Sequence, residues 1–476
     1  MKKNKLCFFF ALFFSIVFGL ERPALFAQDA SGGLPGESGG QSRTGIPSQL
    51  YAAAGTGPAR KLSSDEAVEL AIKNNLGLES ARLNADAKKR QSSLSWNQFI
   101  PTTSVQGLVN RVNEKSVTIM GPGPRWTAQG QLSFELGLNL ATFERIKNLR
   151  LEYENGILSY EQARAQTEKT VRQTYYDVIY QGEQIDILEQ SFANIQRQAA
   201  MAGANYRAGL IPEVDFLRAQ VAVEIFKPGL DQAKNGLKTL TANFAFILGL
   251  PTNTEFELEA APEEISYLQL DVDELNAKAF YGNWDIASLR KNILVTQSGQ
   301  WAQFYSNYTP SLFFTWDLTR SMVEPWENNL FNGSNWNPGG SLTIGVRFYL
   351  DRLLPFSQGA QGVKAIDDSI AVLNNRLAQL TQQTAMGVYS TVLSLEQIRS
   401  QAEAQKLTVN LAERSYELTE QAYRGGLRQL LDVQSAEQDL REARLNMLKQ
   451  NTDYLKGILD LEYAIGVPFG TLEGRN

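Results

Sequence analysis

The chain has 476 residues, a formal net charge of −6, a single cysteine at position 7 and no histidine. The lack of histidine removes the commonest general base and the commonest metal ligand, which argues against an enzyme and against a metal site. The acidic balance argues against nucleic acid as a partner. We therefore expect no catalytic residue, no metal and no cofactor.

Residues 1–27 have the features of a secretory signal peptide. Three lysines precede an apolar run at residues 6–20, and residues 24–27, Ala-Leu-Phe-Ala, form a plausible cleavage site. The run is too short and wrongly flanked for a stable membrane span, although an uncleaved anchor is the alternative. Cys7 lies near the start of the run, where it is badly placed for lipidation. Without these residues, which carry four basic and one acidic side chain, the net charge is −9.

Residues 28–60 are rich in Gly, Ser and Pro without a periodic apolar pattern, which is typical of a flexible leader. The first helix is predicted over residues 64–98, where Ser63 or Ser64 can cap its first turn. Pro101 follows the predicted end of this helix.

Two copies of one unit make up most of the remaining chain. The sequence Tyr-Arg-x-Gly-Leu occurs at residues 206–210 and again at 423–427, an offset of 217 residues. The glycines of each copy are expected to end a helix, and in the second copy these are Gly425 and Gly426. Other motifs also recur: Gly249-Leu250-Pro251 matches Gly466-Val467-Pro468, and Leu62, Asn75 and Arg82 match Leu270, Asn283 and Arg290.

The repeat defines the predicted domains. The first copy covers residues 61–250 and the second covers 271–468. Residues 251–270 form an acidic, irregular linker, or equatorial segment, and residues 469–476 form a tail.

Each copy contains two segments in which apolar residues alternate with polar ones. Strands are predicted at about 102–112 and 127–140 in the first copy, and at 311–320 and 340–350 in the second. Apolar faces of roughly ten residues are typical of outer-membrane strands, and a soluble sandwich strand is the alternative. The predicted lipid-facing residues are Leu132, Phe134, Leu136, Leu138, Trp316, Ile344, Val346 and Phe348.

Long helices without proline are predicted at residues 143–206 and 358–423. Their apolar spacing, close to 3.5 residues, indicates coiled helices. Each would be roughly 95 to 100 Å long at ~1.5 Å per residue, too long for an ordinary globular domain. The other helices, about half as long, are predicted at 64–98, 212–247, 271–305 and 429–465, with Pro228 expected to kink or break the second of these.

The fold class is therefore mainly α with a small β part. Beyond the signal segment no run of about eighteen apolar residues occurs, so any membrane insertion must use strands. Four strands cannot close a barrel, because the smallest closed barrels have roughly eight. Several chains must therefore contribute to one barrel.

The chain resembles the TolC-like outer-membrane efflux proteins over nearly its whole length after the signal segment. The order of helix, strand pair, long helix, glycine turn and helix occurs twice. The matching pieces are Leu62–Leu78, Phe99-Ile100-Pro101, Tyr175-Tyr176-Asp177, both Tyr-Arg-x-Gly-Leu turns, and the Gly-Leu-Pro and Gly-Val-Pro ends.

This resemblance implies a homotrimer with a twelve-stranded barrel in outer-membrane lipid and an α-helical tunnel in the periplasm. A periplasmic adaptor protein and an inner-membrane pump would complete a tripartite efflux or type I secretion system, in which this chain is the passive duct. The family's adaptor-docking tips correspond to Arg207, Gly209, Leu210, Asp215, Arg424, Gly426 and Leu427.

The resemblance also implies a periplasmic gate formed by Tyr423, Arg428 and Asp432. Some members carry a second aspartate where this chain has Ser435, which argues against strong cation binding at the gate. An ordinary surface pair between Arg428 and Asp432 is the alternative interpretation of these two residues. A structural coiled-coil protein of the periplasm is the alternative function, and it would explain the helices but not the strands.

Overall fold

The computed structural model describes residues 60–113, 117–118, 121–122, 125–259, 265–327 and 332–472. The predicted signal peptide and nearly all of the predicted leader lie outside these residues. The described chain divides into two compact units. The sheet unit comprises Arg90–Glu152 and Leu294–Ala371, and the helical unit comprises the described residues up to Lys89 together with Tyr153–Ile293 and the residues from Val372 onward.

The mainly helical fold with a small sheet is confirmed. In chain order the principal elements are β1 (Arg60–Leu62), α1 (Ser64–Asn74), α2 (Leu76–Ser93), β2 (Thr102–Arg111), β3 (Trp126–Leu138), α3 (Leu140–Arg207), α4 (Glu213–Ile247), β4 (Phe256–Leu258), α5 (Val272–Gly282), α6 (Trp284–Tyr308), β5 (Ser311–Val323), β6 (Asn337–Arg347), α7 (Gln358–Arg424) and α8 (Leu430–Ile465). Among the described residues, no helix is both long and apolar enough to cross a membrane.

The sheet unit contains a four-stranded antiparallel sheet in the order β2-β3-β5-β6. Phe134 lies opposite Trp316, and their rings stack with centroids 5.3 Å apart. Residues that lie opposite each other in a ladder share one face of the sheet. The register therefore places one continuous apolar face on three strands, formed by Leu132, Phe134, Leu136, Leu138, Leu312, Phe314, Trp316, Leu318, Leu342, Ile344 and Val346.

The last strand lies three residues earlier than the sequence prediction. It begins at Asn337 and ends at Arg347, so Phe348 lies just beyond it, before the 3-10 turn Leu350–Leu353. Pro338 is tolerated because β6 is an edge strand. At Gly340, with φ +147°, a Cβ would lie 2.2 Å from the Asp317 carbonyl oxygen, so only glycine lets the ladder continue there. Gly339 and Gly340 therefore belong to the first part of the strand.

The prediction of one helix over residues 64–98, and of another over 271–305, was wrong. Asn75 and Asn283 interrupt these segments with extended backbone. The Oδ1 of Asn75 accepts from the Leu78 N–H at 3.0 Å, and its Nδ2 donates to the Ile247 carbonyl at 3.0 Å. Asn283 donates in the same way to the Ala464 carbonyl at 2.9 Å. Each asparagine thus ends one helix, caps the next and binds the end of a third.

Of the other helical expectations, the N-cap of the first helix is met and a break at Pro228 is not. Ser63 is the N-cap of α1, where it forms a capping box with Glu66. Pro228 lies inside α4, which runs through it without a break. The two long helices and the helices that follow them begin and end within one residue of equivalent positions under the offset of 217. The front helices begin at equivalent residues under an offset of 208, as Asn75 and Asn283 show, but α6 extends seven residues further than α2.

The helical unit contains two separate cores with equivalent members. One core is built from the first repeat and the other from the second. Buried pairs related by the 217 offset are Val171 and Val388, Tyr175 and Val392, Val178 and Leu395, Phe244 and Leu461, and Leu248 and Ile465. Duplication has therefore produced two cores that are packed alike.

The linker, predicted to be irregular, contains one short strand, and the described parts of the linker and the tail pack on the helical cores. The linker strand β4 pairs in parallel with β1, and Tyr267 and Leu268 pack on the second core. Leu472 of the tail packs on the same core. The fully buried Glu462 carboxyl group accepts from the Gly470 N–H at 3.0 Å and the Leu472 N–H at 2.9 Å. The linker and the tail therefore contribute side chains and hydrogen bonds to the two cores.

Two buried tyrosines fasten the linker to the cores. The Tyr175 hydroxyl lies 3.1 Å from the Leu62 carbonyl oxygen and 3.0 Å from that of Glu259, to which it can donate. The Tyr454 hydroxyl accepts from the Leu268 N–H at 2.7 Å. Burial raises the pKa of Tyr175 to about 12, because the phenolate would lose its hydration.

Tyr175→Phe is expected to lower the free energy of unfolding by about 1 kcal/mol at neutral pH, since the Leu62 and Glu259 carbonyls lose one donor. The raised pKa also sets a pH dependence: the contribution of Tyr175 is complete below its ordinary pKa of 10.0 and is lost as the pH rises toward about 12. Thermal unfolding of the full chain at neutral and alkaline pH measures both effects. Tyr281→Phe, at a side chain that is 77% exposed, is the control and should change neither.

Candidate functional site

The tips of the two helical hairpins have the same backbone geometry. Gly209 has φ +74° and Gly426 has φ +73°. The N–H of Leu210 donates to the Asn205 carbonyl at 2.9 Å, and that of Leu427 donates to the Ala422 carbonyl at 2.9 Å. This six-to-one bond around a left-handed glycine is the Schellman ending of a helix. Gly425 is not left-handed, so Gly426 alone supplies the conformation that turns the chain.

The residues after each glycine project apolar side chains into solvent. Leu210 is 73% exposed and Leu427 is 83% exposed. Arg207 is exposed, whereas Arg424 forms an ion pair with Glu420 at 2.8 Å. Large exposed leucines at a turn mark a surface suited to contact with another molecule.

Below the turns, the two hairpins share one apolar cluster. It contains small residues of the first repeat and larger residues of the second, namely Ala202, Ala219, Tyr416, Tyr423, Leu430, Val433, Ala436 and Leu440. Burial raises the pKa of the Tyr416 hydroxyl, and the nearby Glu420 carboxylate adds to this effect. The cluster therefore fixes the two tips to each other and surrounds Tyr423 with apolar groups.

Equivalent tyrosines of the two tips have different environments. Tyr206 stacks on Phe216 with ring centroids 5.5 Å apart and an angle of 6° between the rings. Tyr423 instead is only 8% exposed, and its buried hydroxyl has no hydrogen-bond partner within the described chain. The structure thus does not join Tyr423 to Arg428 or Asp432 by a hydrogen bond. The position equivalent to Phe216 is Val433, which leaves this tyrosine without a stacking partner.

Arg428 and Asp432 are brought together, as predicted for one turn of helix. Their side chains approach to 3.8 Å and are 62% and 43% exposed. An exposed pair of this kind contributes only a few tenths of a kcal/mol. Asp432 also accepts from the Gln429 N–H at 3.2 Å, so it helps to cap α8. Pro212 occupies the equivalent position in the first repeat and has no N–H to donate.

The first-repeat aspartate has a different partner. Asp215 pairs with Arg218 at 3.7 Å, three residues later. In the second repeat the position of Arg218 is Ser435, and the cation lies on the other side of the aspartate, at Arg428. Both repeats therefore have an aspartate at the start of the helix that follows the turn. Its arginine partner lies three residues after Asp215 in the first repeat and four residues before Asp432 in the second.

A buried ion pair near the second tip was not predicted from the sequence. Glu437, 3% exposed, accepts from Arg441 at 3.1 Å, and the Arg441 guanidinium lies over the Phe226 ring at 5.2 Å. The spacing of Glu and Arg four residues apart was the available signal, but it occurs on many surface helices. Among the described residues, no group of three or more acidic side chains could hold a metal ion.

Comparison with protein families gives one match. Residues 67–249 match the family model described as outer membrane efflux protein. These residues are almost the whole first repeat, including α3 and α4. None of the curated proteins matches the chain.

Solved structures share the fold at low sequence identity. CusC has a TM-score of 0.71 and 14% identity, with 85% of this chain and 92% of that chain covered. VceC of Vibrio cholerae has a TM-score of 0.69 and 14% identity, with 85% and 96% covered. The Campylobacter jejuni CmeC channel has a TM-score of 0.68 and 15% identity, with 85% of each chain covered. The chain has the TolC-like fold along most of its length.

Gly426→Ala is expected to destabilise the second tip by about 1–2 kcal/mol, because a left-handed backbone is unfavourable for any residue with a Cβ. Space is not the reason, since no atom would lie within 4 Å of the added Cβ. Gly425→Ala is the matched control, because a Cβ there would make ordinary contacts at 3.5 Å and needs no left-handed backbone. Thermal unfolding of both variants measures the difference, and equal stabilities would contradict the assignment of the turn to Gly426.

Proposed function

We propose that this chain, a TolC-like outer membrane efflux protein, is the outer-membrane channel of a tripartite efflux or type I secretion system. It acts as a passive duct from the periplasm to the exterior, formed by a homotrimer. The observation that carries this proposal is the four-stranded sheet, which has one continuous apolar face and an edge strand on either side.

The edges of the sheet support assembly from several chains. β2 and β6 each pair with one strand only in the described sheet. Open edges are satisfied in a membrane only by closure, and roughly eight strands are the minimum for a closed barrel. Three chains with four strands each supply a twelve-stranded barrel, which leaves no edge open.

The apolar face supports a location in lipid. Ile344 is 66% exposed, Val346 is 69% exposed and Trp316 is 42% exposed on this face. The opposite face is polar, where the Gln131 amide donates to the Asp317 carboxylate at 3.0 Å. An outward apolar face and an inward polar face are what a water-filled barrel requires. Phe348, which lies beyond the strand, remains a proposed lipid contact at the barrel margin.

The exposed tips support docking of a periplasmic adaptor, which would couple the duct to an inner-membrane pump. Leu210 and Leu427 are the apolar contacts, and Arg207, Gly209, Asp215, Arg424 and Gly426 belong to the same two turns. Adaptor and pump would open the duct at this end.

The gate is proposed at Tyr423, Arg428 and Asp432. Threefold symmetry would bring three Asp432 carboxylates toward one axis, where they repel and need counter-charge from Arg428. The Tyr423 hydroxyl is buried and has no hydrogen-bond partner among the described residues, so a polar link to Arg428 or to a neighbouring chain would require the tip to rearrange and expose it. Ser435 provides no second carboxylate for a cation.

The wild-type channel is expected to show low conductance in planar lipid bilayers, and Arg428→Ser should raise it because the counter-charge that holds the tips closed is lost. Arg218→Ser is the matched control: this arginine is 69% exposed and pairs with an aspartate at 3.7 Å, as Arg428 does at 3.8 Å. The control should leave the conductance low.

Two results would contradict these assignments. Unchanged conductance of Arg428→Ser in a heat-resistant trimer would remove Arg428 from the gate but leave the duct intact. A soluble monomer in the periplasm, with no trimer in the outer-membrane fraction, would overturn the channel itself and favour a structural coiled-coil protein.

Ile344→Lys is expected to impair insertion into lipid by about 2–4 kcal/mol if the side chain faces the bilayer midplane. Thr343→Lys, on the opposite face of the same strand, is the matched control and should insert normally. Urea titration of folding into phospholipid vesicles measures both variants. Equal insertion of the two would show that this face does not contact lipid.

A further inference from the structure

The two ends of the apolar sheet face differ in chemistry. At one end, where β3 continues into α3, the face finishes with Leu138, Leu312 and Val346, which lie opposite one another. The other end is where β2 connects to β3 and β5 connects to β6. There the register extends the same face to two arginines, Arg111 and Arg320. An apolar surface that ends in cations matches a molecule that is apolar along its length and anionic at its head.

Arg320 lies on the apolar face among small neighbours. It is opposite Gly130 on β3 and Pro338 on β6, and Gly130 is opposite Gly107 on β2. One residue separates it from Leu318 on the same strand, so the alternation of side chains places both on one face. The three neighbours in this row have no long side chain. The row therefore offers room for a bound group beside the guanidinium group.

The guanidinium group of Arg320 has few partners. Its Nη1 donates to the Trp336 carbonyl group at 3.4 Å, and it forms no ion pair with another described residue. A guanidinium group carries five N–H donors, so most of them remain for another acceptor. On a surface that faces lipid, such a group is strongly unfavourable at the bilayer midplane but is tolerated at the interface, where it reaches the headgroups. Arg320 therefore suits the headgroup layer.

Tryptophans surround the two arginines. Arg111 lies opposite Trp126 in the β2–β3 ladder, and its guanidinium carbon is 5.4 Å from the centre of that ring. Trp126 in turn contacts Trp326 edge to face, with ring centroids 6.1 Å apart. Trp336 is 3% exposed and packs on the apolar face. Since tryptophan is enriched at membrane–water interfaces, this end has the composition of the layer where headgroups meet acyl chains.

The acidic side chain nearest to these groups has other partners. The Glu324 carboxylate accepts from the backbone N–H groups of Arg125 and Trp126. Among the described residues, no ion pair joins this carboxylate to Arg111 or Arg320. The two arginines therefore keep their positive charge for a group outside the chain.

We propose that Arg111 and Arg320 bind the phosphate-bearing headgroup of a lipid in the outer leaflet, whose acyl chains lie along the apolar face. This inference rests on the proposed channel, which directs the arginine end of the sheet to the exterior because the helices continue from the other end. Guanidinium groups bind phosphate through two parallel hydrogen bonds, which an amide cannot reproduce.

The two arginines meet the headgroup at different depths. Gly130 and Trp126, the residues opposite Arg320 and Arg111, are four residues apart on β3, which is about 13 Å at ~3.3 Å per residue. Arg320 therefore approaches the headgroup from the side of the acyl chains, and Arg111 approaches it from the side of the exterior. Both side chains can lay their methylene groups on apolar neighbours while their guanidinium groups stay in the polar layer.

Lipid binding to the purified trimer tests the site. The trimer is extracted from outer membranes, delipidated in a maltoside detergent, and titrated with lipid A or with lipid A from which the phosphate groups have been removed. Native mass spectrometry measures the bound lipid. The wild-type trimer should bind the phosphorylated form about tenfold more tightly or better, because charge-assisted hydrogen bonds to phosphate are lost with the other form. The double variant Arg111→Gln, Arg320→Gln should lose this preference.

Arg347→Gln is the matched control. Arg347 also lies over an aromatic ring, that of Phe313 at 4.7 Å, but both belong to the opposite face of the sheet and lie near the end that continues into helices. This variant should keep the wild-type preference for phosphorylated lipid A. A third arm adds inorganic phosphate alone, which should neither bind measurably nor displace the lipid at the same concentration.

The outcomes separate this inference from the channel proposal. Equal binding of the two lipid forms by the wild-type trimer, which requires no variant, would overturn the site and leave the channel standing. An unchanged preference in the double variant would do the same. Displacement of lipid A by inorganic phosphate would show a site for free phosphate and overturn the assignment to a lipid. Absence of any trimer from the outer-membrane fraction would overturn both the site and the channel.

Discussion

Backbone hydrogen bonding at the edges of the sheet is the constraint on which the rest of the structure depends. β2 and β6 each present an unpaired row of N–H and C=O groups in the described sheet. In water such edges invite aggregation, and in lipid they are excluded because nothing satisfies them. The described four-stranded sheet with two open edges therefore supports the proposal that further copies of the chain complete a barrel, as does its apolar face.

The two copies of the repeated unit share one helical scaffold but differ in their surface residues. The two cores of the helical unit place equivalent residues at equivalent points, as Val171 and Val388 show. Outside the cores the copies differ. Tyr206 stacks on Phe216, whereas the Tyr423 hydroxyl has no hydrogen-bond partner among the described residues. The Lys169 side chain is 18% exposed, whereas the equivalent Met386 is 73% exposed. Such differences allow the two copies of a duplicated unit to present different surfaces on one fold.

Periodicity predicted the long helices and the strands because their pattern is repeated over many residues. The breaks at Asn75 and Asn283 were missed, since asparagine is only a moderate helix breaker and its effect here is tertiary. Asn75 bonds a carbonyl 172 residues away, and no local pattern contains that partner. The position of β6 was missed for the opposite reason, because Pro338 and the following glycines are local loop signals that an edge strand overrides. The same limit applies to the tip: the approach of Arg428 to Asp432 follows from helix geometry, whereas the burial of Tyr423 depends on a cluster drawn from both repeats.

The buried Glu462 carboxyl group has a consequence for the order in which the chain folds as it is synthesised. The first core uses residues from Leu62 to Leu258, all of which emerge before the second repeat begins. The second core includes Leu472, and the Glu462 carboxyl group accepts from the backbone N–H groups of Gly470 and Leu472. The first core can thus form early, whereas the second core is complete only after residues 470–472 have been synthesised. The two cores can therefore form one after the other, in the order in which the chain is made.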